Sequence, residues 1–356
     1  MKMMKVAVLR KAGQIEYETR PIPEIREDQV LVRMSHCGIC GSDVHYYQHG
    51  RIGHFIVDQP LVLGHESAGE VTAVGSAVKH LAVGDKVTLE PGVPCGLCDH
   101  CRTGRYNLCP DVVFMATPPH DGAFAEYVAW PARWAYRLPG GMSTVSGALI
   151  EPLAVGFHAA ARGQASVGQS ALILGAGCIG LMTLLALKAR GVHQVYVTDL
   201  VDIRLEKAKE LGAAEVIHAG RESVIEKVME LTDGQGTDLV FETAGTEVTT
   251  RQTAQAVRRG GRVVLVGLTP DPEITYDFAS LMDKEVDLTT VFRYHNLYPT
   301  CLDAAARIPL DLERIVTRTF SFDQIPEAFA WTVANRQNSV KVVISWQPSS
   351  DSTGSA

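Results

Sequence analysis

The feature that most constrains the fold is a glycine-rich turn between a strand-like run and a helix-like run. The apolar run Ala171–Leu174 leads into Gly-Ala-Gly-Cys-Ile-Gly over residues 175–180, and a helix-patterned segment follows. In this context Gly175 allows a tight turn, Gly177 lets the backbone approach a pyrophosphate, and Gly180 lets helix and strand pack closely. The helix N-terminus supplies free N–H groups for phosphates. The sequence predicts a dinucleotide site here, and a glycine turn that merely closes a βα unit is the alternative.

An acidic residue at the end of the next strand-like run indicates which dinucleotide is bound. Asp199 stands nineteen residues after Gly180. Its carboxylate can accept hydrogen bonds from an adenosine ribose and would repel a 2′-phosphate, so NAD is favoured over NADP. Arg204 could bind such a phosphate, but its more ordinary role is stacking beside adenine or a solvated helix charge.

The order of strand-like and helix-like runs along the chain predicts an α/β protein with two domains. Residues 6–152 are short β-patterned runs broken by Gly and Pro, which predict a small barrel with long loops. After Gly168 strand-like and helix-like runs alternate, which predicts a doubly wound parallel sheet. Its predicted strands are Ala171–Leu174, Val195–Thr198, Glu215–Ile217, Leu239–Glu242, Val263–Val266 and Asp287–Val291.

The predicted domain boundaries follow from this order of strand-like and helix-like runs. Residues 1–152 form the barrel, residues 153–292 the nucleotide-binding domain, and residues 293–346 a helix and a late strand that return to the first domain. The Ser-rich residues 347–356 are predicted to be a disordered tail.

Charge and hydropathy exclude several classes of protein. The 356 residues carry 40 acidic and 33 basic side chains and a net charge of −7, which argues against a nucleic-acid or anionic-membrane binder with a basic surface. No signal-peptide h-region and no run of about 18 apolar residues occurs, so we expect a soluble, cytoplasmic protein. Eight cysteines are too sparse for a disulfide scaffold.

Four of these cysteines form a compact metal-binding pattern. Cys95, Cys98, Cys101 and Cys109 have the spacing C-x2-C-x2-C-x7-C in a loop-like segment. Four close thiolates can surround one tetrahedral zinc with no open position, which predicts a structural site. An iron–sulfur cluster is disfavoured, because the bacterial pattern has three residues before its last cysteine. Free thiols remain an alternative.

A more dispersed set suggests a second zinc. Cys40, His65, Glu66 and Glu151 supply a thiolate, an imidazole and carboxylates, the ligand types of a zinc that keeps a position open for substrate. Each residue alone is weak evidence, and the residues by themselves leave a metal site and unrelated roles equally open. Cys37 and Cys40 also form C-x-x-C, but no thioredoxin-like context follows. We expect the remaining histidines, including His36, His49, His54 and His158, to be ordinary loop or core residues.

With these motifs in hand, the sequence resembles the zinc-dependent medium-chain dehydrogenases, and among them the sorbitol and xylitol dehydrogenases. The resemblance covers nearly the whole chain and is carried by residues 40–46, 50–57, 63–66, 116–119, 150–156 and 291–294. It implies a GroES-like barrel as catalytic domain, a Rossmann domain, an active site in the cleft between them and, by analogy, a homotetramer.

The resemblance also assigns roles residue by residue. Cys40, His65 and Glu66 match catalytic-zinc ligands, and Glu151 matches a carboxylate that either binds zinc or holds its water; spacing does not decide between Glu66 and Glu151. Residues that match the polyol pocket are Tyr46, Arg293 and Tyr294, with Phe114 and Thr117 expected to shape it. Residues that match cofactor contacts are Ile179, Asp199, Arg204, Val266, Gly267, Leu268, Val291, Phe292 and Arg293.

The implied reaction is oxidation of a secondary alcohol of a polyol to the ketose, with hydride transfer to NAD. Ser42 would take the hydroxyl proton and pass it, through the cofactor ribose, toward His45 and solvent. Related alternatives are the same chemistry on threonine, butanediol or galactitol. A zinc-free reductase would leave Cys40 and His65 without purpose, and a non-catalytic zinc-ribbon scaffold would not bind NADH.

Overall fold

The computed structural model describes residues 1–269 and 273–346. The tail predicted at residues 347–356 lies outside the described residues. Within them the strands are β1 Met3–Lys11, β2 Gln14–Pro21, β3 Gln29–Ile39, β4 Arg51–Ile52, β5 Phe55–Ile56, β6 Leu61–Val62, β7 Glu66–Val74, β8 Lys86–Leu89, β9 Gly92–Val93, β10 Val113–Phe114, β11 Tyr127–Pro131, β12 Ala135–Arg137, β13 Ser170–Leu174, β14 Gln194–Asp199, β15 Glu215–His218, β16 Thr237–Glu242, β17 Val257–Leu265, β18 Asp287–Thr290, β19 Val316–Ser321 and β20 Lys341–Ser345.

The helices begin and end near the polar and glycine residues that flank them. In chain order they are α1 Gly41–His49, α2 Asp99–Arg102, α3 Thr144–Ala148, α4 Ile150–Arg162, α5 Cys178–Ala189, α6 Asp202–Glu210, α7 Val224–Leu231, α8 Glu247–Ala256, α9 Phe278–Lys284, α10 Tyr298–Arg307 and α11 Ile325–Ala334. Ser223 and Thr246 cap α7 and α8 by accepting hydrogen bonds from backbone N–H groups of the first turn. None of the helices in the described ranges is long and apolar enough to cross a membrane.

The chain divides into two compact units. Among the described residues, the first comprises residues 1–151 and 316–346, and the second comprises residues 152–269 and 273–315. The predicted return to the first domain at residue 293 therefore differs from the structure. Helix α10, whose buried residues are Tyr298, Cys301 and Leu302, lies within the bounds of the second unit.

The first unit is built around a mostly antiparallel sheet. Its seven-stranded sheet runs β12-β8-β7-β3-β20-β19, and β11 also pairs with β3. Strand β20, from the end of the chain, pairs antiparallel with β3 through Val342 opposite Ile39 and Ile344 opposite Cys37. A three-stranded sheet, β2-β1-β6, packs with it around one apolar core. The late strand thus returns to this unit as predicted.

The second unit contains a parallel sheet. Its six strands have the order β15-β14-β13-β16-β17-β18. The order reverses beside β13, and ligands of doubly wound sheets bind at the carboxyl ends of the strands near such a point. Strands β13 and β16 are buried runs of Leu, Ile, Val and Phe, as expected for a sheet covered on both faces.

Candidate functional site

The glycine turn after β13 has the geometry that its three glycines predict. Gly175 has φ of 105°, a conformation that favours glycine. A Cβ at Gly180 would lie 1.9 Å from the backbone oxygen of Gly175, so only glycine allows helix α5 to pack this closely. At Gly177, by contrast, no atom of the described residues beyond the flanking residues and the adjacent helix backbone lies within 4 Å of the Cβ position. The backbone at Gly177 is therefore open to a phosphate at the start of α5.

Asp199, the last residue of β14, is hydrogen-bonded to the backbone of the same glycine turn. Its Oδ2 accepts a hydrogen bond from the backbone N–H of Ala176 (2.8 Å), and its Oδ1 accepts those of Leu200 (2.8 Å) and Val201 (3.0 Å). Arg204 Nη1 lies 3.6 Å from Asp199 Oδ1. The carboxylate thus lies at the end of β14, as the sequence predicts, and the Arg204 guanidinium lies beside it.

Two further strand ends bring other predicted cofactor residues to the same edge of the sheet. The N–H groups of Val266 and Gly267 donate to the Glu242 carbonyl at 2.8 and 3.0 Å, and Val291 N–H donates to Leu265 at 2.9 Å. Glu242 itself is buried, and burial raises its pKa although Thr249 donates a hydrogen bond to its carboxylate. Sequence analysis did not single out this acid.

In the first unit, one group of side chains can hold a metal ion. The ligand atoms of Cys40, His65 and Glu66 all lie within 4.8 Å of one another. Cys40 precedes α1, His65 follows the turn at Gly64, and Glu66 begins β7. The structure therefore brings together a thiol, an imidazole and a carboxylate, a donor set that zinc accepts.

Asp43 fixes two of these three ligands and was not singled out in the sequence. Its Oδ2 accepts a hydrogen bond from Cys40 N–H (2.9 Å), and its Oδ1 accepts one from Gly64 N–H (3.0 Å). Its Oδ1 also lies 3.6 Å from His65 Nδ1. An acid three residues after a helix N-cap is a detectable signal for the first of these bonds.

The ring of His65 is oriented as in a metal ligand whose second nitrogen faces an acid. Burial lowers the pKa of His65, but the charges of Asp43 and Cys40 raise it well above its usual value. Because Nδ1 faces Asp43, Nε2 is the nitrogen available to a cation.

The remaining predicted residues of the first unit lie around these elements. Ser42 is half-buried and His45 is exposed, and both are on α1. Glu151 is buried at 5% exposure but does not belong to the group of three ligand atoms.

The predicted substrate residues belong to both units. Tyr46 and Phe114 are buried, and the ring of Phe114 lies 5.7 Å from that of His65. Thr117 is half-buried. In the second unit Tyr294 is buried, and the Arg293 guanidinium lies 4.9 Å from the Phe292 ring.

The four cysteines of the loop also form a metal-binding group. The Sγ atoms of Cys95, Cys98, Cys101 and Cys109 all lie within 4.8 Å of one another. The Sγ atom of Cys101 is 3.4 Å from that of Cys98 and 3.9 Å from that of Cys95. Tetrahedral zinc with Zn–S bonds of about 2.3 Å implies S–S separations of about 3.8 Å. The group therefore fits zinc, and it is too wide for disulfides.

A buried acid ties this cysteine loop to the sheet. Glu90 follows β8 and accepts hydrogen bonds from the hydroxyl groups of Tyr106, in the loop, and Tyr136, in β12, at 2.6 and 3.0 Å. Burial is the main cause that raises the pKa of Glu90, the two tyrosine hydrogen bonds lower it and the charge of Glu151 raises it, and together they bring it to about 7. This carboxyl group was not predicted from the sequence.

Glu90 gives a testable pH dependence. Between about pH 4.5 and 7 the folded protein retains a proton at Glu90 that the unfolded chain has released, so stability falls as pH rises through this window. The free energy of unfolding of wild type relative to Glu90→Gln should fall by about 3 kcal/mol between pH 4.5 and pH 7.5. Denaturant unfolding at several pH values measures it. The exposed Glu247→Gln is the control, and parallel pH curves for wild type and Glu90→Gln would contradict the assignment.

Comparison with known proteins identifies the family. Residues 26–140 match the alcohol dehydrogenase GroES-like domain, and residues 178–307 match the zinc-binding dehydrogenase domain. Over 341 residues the chain is 42% identical to a sorbitol dehydrogenase of Bacillus subtilis (strain 168), covering 96% of this chain and 97% of that protein. The chain belongs to the zinc-dependent medium-chain dehydrogenase family. The predicted fold, a GroES-like barrel with a Rossmann domain, is confirmed.

Solved structures of medium-chain dehydrogenases agree. An Escherichia coli oxidoreductase/dehydrogenase of unknown specificity has a TM-score of 0.93 at 42% identity, covering 97% of this chain and 99% of that one. The 2R,3R-butanediol dehydrogenase of Bacillus subtilis has a TM-score of 0.88 at 30% identity, covering 97% and 100%. As a medium-chain dehydrogenase, this protein is an NAD-dependent oxidoreductase that uses zinc.

Proposed function

We propose that this dehydrogenase oxidises a secondary alcohol of a polyol such as xylitol or sorbitol to the ketose, with hydride transfer to NAD. The observation that carries the proposal is the group formed by Cys40, His65 and Glu66, whose ligand atoms lie within 4.8 Å of one another. The identity of 42% with a sorbitol dehydrogenase over nearly the whole chain supports the substrate class.

We propose two zinc ions per chain. The group at Cys40 fits a catalytic ion, because it offers three protein ligands and so leaves a fourth position for substrate. The cysteine loop fits a structural ion, because four thiols fill a tetrahedral site. Glu151, outside the group of three, would act through a water molecule rather than as a direct ligand.

The protein's own part in the reaction is orientation and proton transfer. A zinc ion at Cys40 would supply Lewis acidity that lowers the pKa of a nearby hydroxyl, and the nicotinamide would take the hydride. The hydroxyl proton passes to Ser42 and on to His45, three residues along α1 and thus on the same helix face. Partial desolvation of the otherwise exposed ring, followed by the charges of His49 and Arg336, lowers the pKa of His45, so its imidazole is neutral and able to accept a proton at neutral pH.

In the balanced reaction the C–H electron pair leaves as hydride, the O–H proton reaches solvent through His45, and a carbonyl forms. We assign the polyol hydroxyls to Tyr46, Thr117, Arg293 and Tyr294, with Phe114 as an apolar wall. Tyr, Thr and Arg side chains can hydrogen-bond to hydroxyls, and a site built for such bonds rejects substrates that lack them.

A substrate panel tests the assignment. Initial rates with xylitol, sorbitol, galactitol, 2,3-butanediol and threonine at saturating NAD should give the highest kcat/KM for a polyol. A butanediol dehydrogenase is the second candidate, favoured by the structural neighbour at 30% identity. Clear preference for butanediol or threonine would remove the polyol assignment and leave the zinc chemistry intact.

Asp199 should set the preference for NAD. Replacing Asp199 by alanine removes the carboxylate that would repel a 2′-phosphate, while Arg204, 3.6 Å away, remains. We expect the ratio of kcat/KM for NAD to that for NADP to fall by at least about tenfold, or about 1.4 kcal/mol. Arg204→Ala is the control and should not weaken the preference for NAD. An unchanged ratio in Asp199→Ala would show that another residue sets it.

We further propose a cytoplasmic homotetramer with no nucleic-acid or membrane partner. Strand β18 is at the edge of the described parallel sheet, and Leu288 on it is 40% exposed. Nearby in sequence, Phe278 and Met282 of α9 are 60% and 80% exposed. Exposed apolar side chains at a strand edge are typical of an interface between subunits.

A further inference from the structure

A buried lysine holds the carboxylate of the candidate metal centre. Lys341, on β20, is 3% exposed, and its Nζ donates to Glu66 Oε1 and Oε2 at 2.8 and 2.7 Å. It also donates to the Ile39 carbonyl at 3.1 Å. The Glu66 side chain is 1% exposed, so this ion pair is shielded from water.

The backbone of β3 is shaped around the same carboxylate. Gly38 lies opposite Glu66 across the β3–β7 pair. A Cβ at Gly38 would lie 1.9 Å from Glu66 Oε2. Glu66 is therefore held against β3 on one side and by Lys341 on the other, and its position is not free to adjust.

Lys341 is the positive charge that faces the negative charges of the candidate metal centre. Burial raises the pKa of the Cys37 thiol well above its usual value, the charges of Asp43 and Glu66 raise it further, and that of Lys341 lowers it. Asp43, Glu66 and a Cys40 thiolate carry three negative charges, which Lys341 and one divalent cation would balance. Without Lys341 the empty group would keep three negative charges instead of a net two, so it would attract a divalent cation more strongly.

We propose that Lys341 is a positioning residue that holds Glu66 and, by its positive charge, limits how tightly the group of Cys40, His65 and Glu66 binds a divalent cation. The inference rests on the proposed function. Lys341 draws electron density from the carboxylate that the cation must share, and its charge repels the cation. The bound cation consequently remains more electrophilic toward a substrate hydroxyl than it would be beside an unshared carboxylate.

This role differs from that of an ion pair that only stabilises the fold. Loss of a purely structural pair would loosen the metal and lower activity together. Loss of Lys341 in the proposed role should instead make the metal leave more slowly while kcat falls, because Glu66 then binds the cation without a competitor.

The experiment compares the neutral variants Lys341→Met and Lys341→Gln with Lys341→Arg, which keeps the charge. Zinc release is followed by transfer to a chromophoric chelator, and the same variants in a Cys40→Ser background identify the phase that comes from the cysteine loop. We expect the non-loop phase to slow by about tenfold in both neutral variants and to stay near wild type in Lys341→Arg. In parallel, kcat should fall by about tenfold in the neutral variants with little change in KM.

Release that is unchanged or faster in the neutral variants overturns the proposal. If Lys341→Met does not fold, Lys341→Gln decides, since its amide can still donate to Glu66. Metal analysis of the wild-type enzyme separates this result from a failure of the proposed function. Two zinc ions per chain with unslowed release refute the role of Lys341 alone, whereas one zinc that is lost with Cys98→Ser refutes the catalytic site.

Discussion

Replacing Cys40 by serine is expected to reduce kcat by about a thousandfold and to remove one of the two zinc ions that we propose per chain. Cys40 supplies the thiolate of the group it forms with His65 and Glu66. The Lewis acidity of a metal ion contributes several kcal/mol to the transition state, and each 1.36 kcal/mol is about a factor of ten in rate. Steady-state kinetics with a polyol and elemental analysis of the purified protein measure the two effects.

Cys37→Ser is the matched control for this variant. Cys37 is three residues away and fully buried, but it is not in the group of ligand atoms, and burial raises its pKa well above the usual value. It should keep both zinc ions and most of the activity, at a modest loss of stability. Equal losses of zinc and kcat in Cys37→Ser and Cys40→Ser would contradict the assignment of Cys40 as a zinc ligand.

Two alanine substitutions in the glycine turn should separate folding from cofactor binding. Gly180→Ala places a Cβ 1.9 Å from the Gly175 backbone oxygen, so helix and strand must move apart. We expect it to lower the free energy of unfolding of the second unit by more than about 3 kcal/mol, at the upper end for overpacking. Thermal and denaturant unfolding measure this loss.

Gly177→Ala is the counterpart with the opposite outcome. Gly177 has φ of −67°, which alanine adopts readily, and in the described part of the chain no atom beyond the flanking residues and the adjacent helix backbone lies within 4 Å of the new Cβ. Stability should change by less than about 0.5 kcal/mol. The Kd for NADH, measured by fluorescence, should rise at least about tenfold, because the methyl group occupies space that a pyrophosphate needs. Unchanged NADH binding in Gly177→Ala would place the cofactor elsewhere.

Features built from neighbouring residues could be predicted from the sequence alone. The glycine turn, Asp199 and the four cysteines of the loop are each defined by spacing within one or two elements. Their chemistry is fixed by local geometry, since a strand, a turn and a helix N-terminus together form a phosphate site. The structure brings the ligand atoms of the four loop cysteines together, and the roles of these groups stay predictions.

Features that depend on strand pairing could not be predicted in this way. Cys40, His65 and Glu66 belong to different elements. Their ligand types alone left a zinc site and unrelated roles equally open, and the resemblance to a family favoured the zinc site before the structure brought them together. Lys341 lies 275 residues from Glu66 in the sequence and reaches it because β20 and β7 both pair with β3. Gly38 gave a weak signal, since a glycine within a strand often marks a close approach.

The return of the chain to the first unit shows the limit of periodicity. The sequence placed it at residue 293, but α10 belongs to the second unit and the return begins at Val316 with β19. An amphipathic helix has the same pattern whichever core it packs against. Strand β19 and helix α11 were missed for a related reason, since no turn motif or cofactor signal marks them.

The most direct test of the central claim is a crystal structure with anomalous scattering measured at the zinc edge. We expect two peaks per chain, one among the four loop cysteines and one within about 2.0–2.3 Å of Cys40 Sγ, a His65 ring nitrogen and a Glu66 oxygen. A single peak at the loop, or a separation between Cys40 and His65 too large for one ion to bridge, would contradict it.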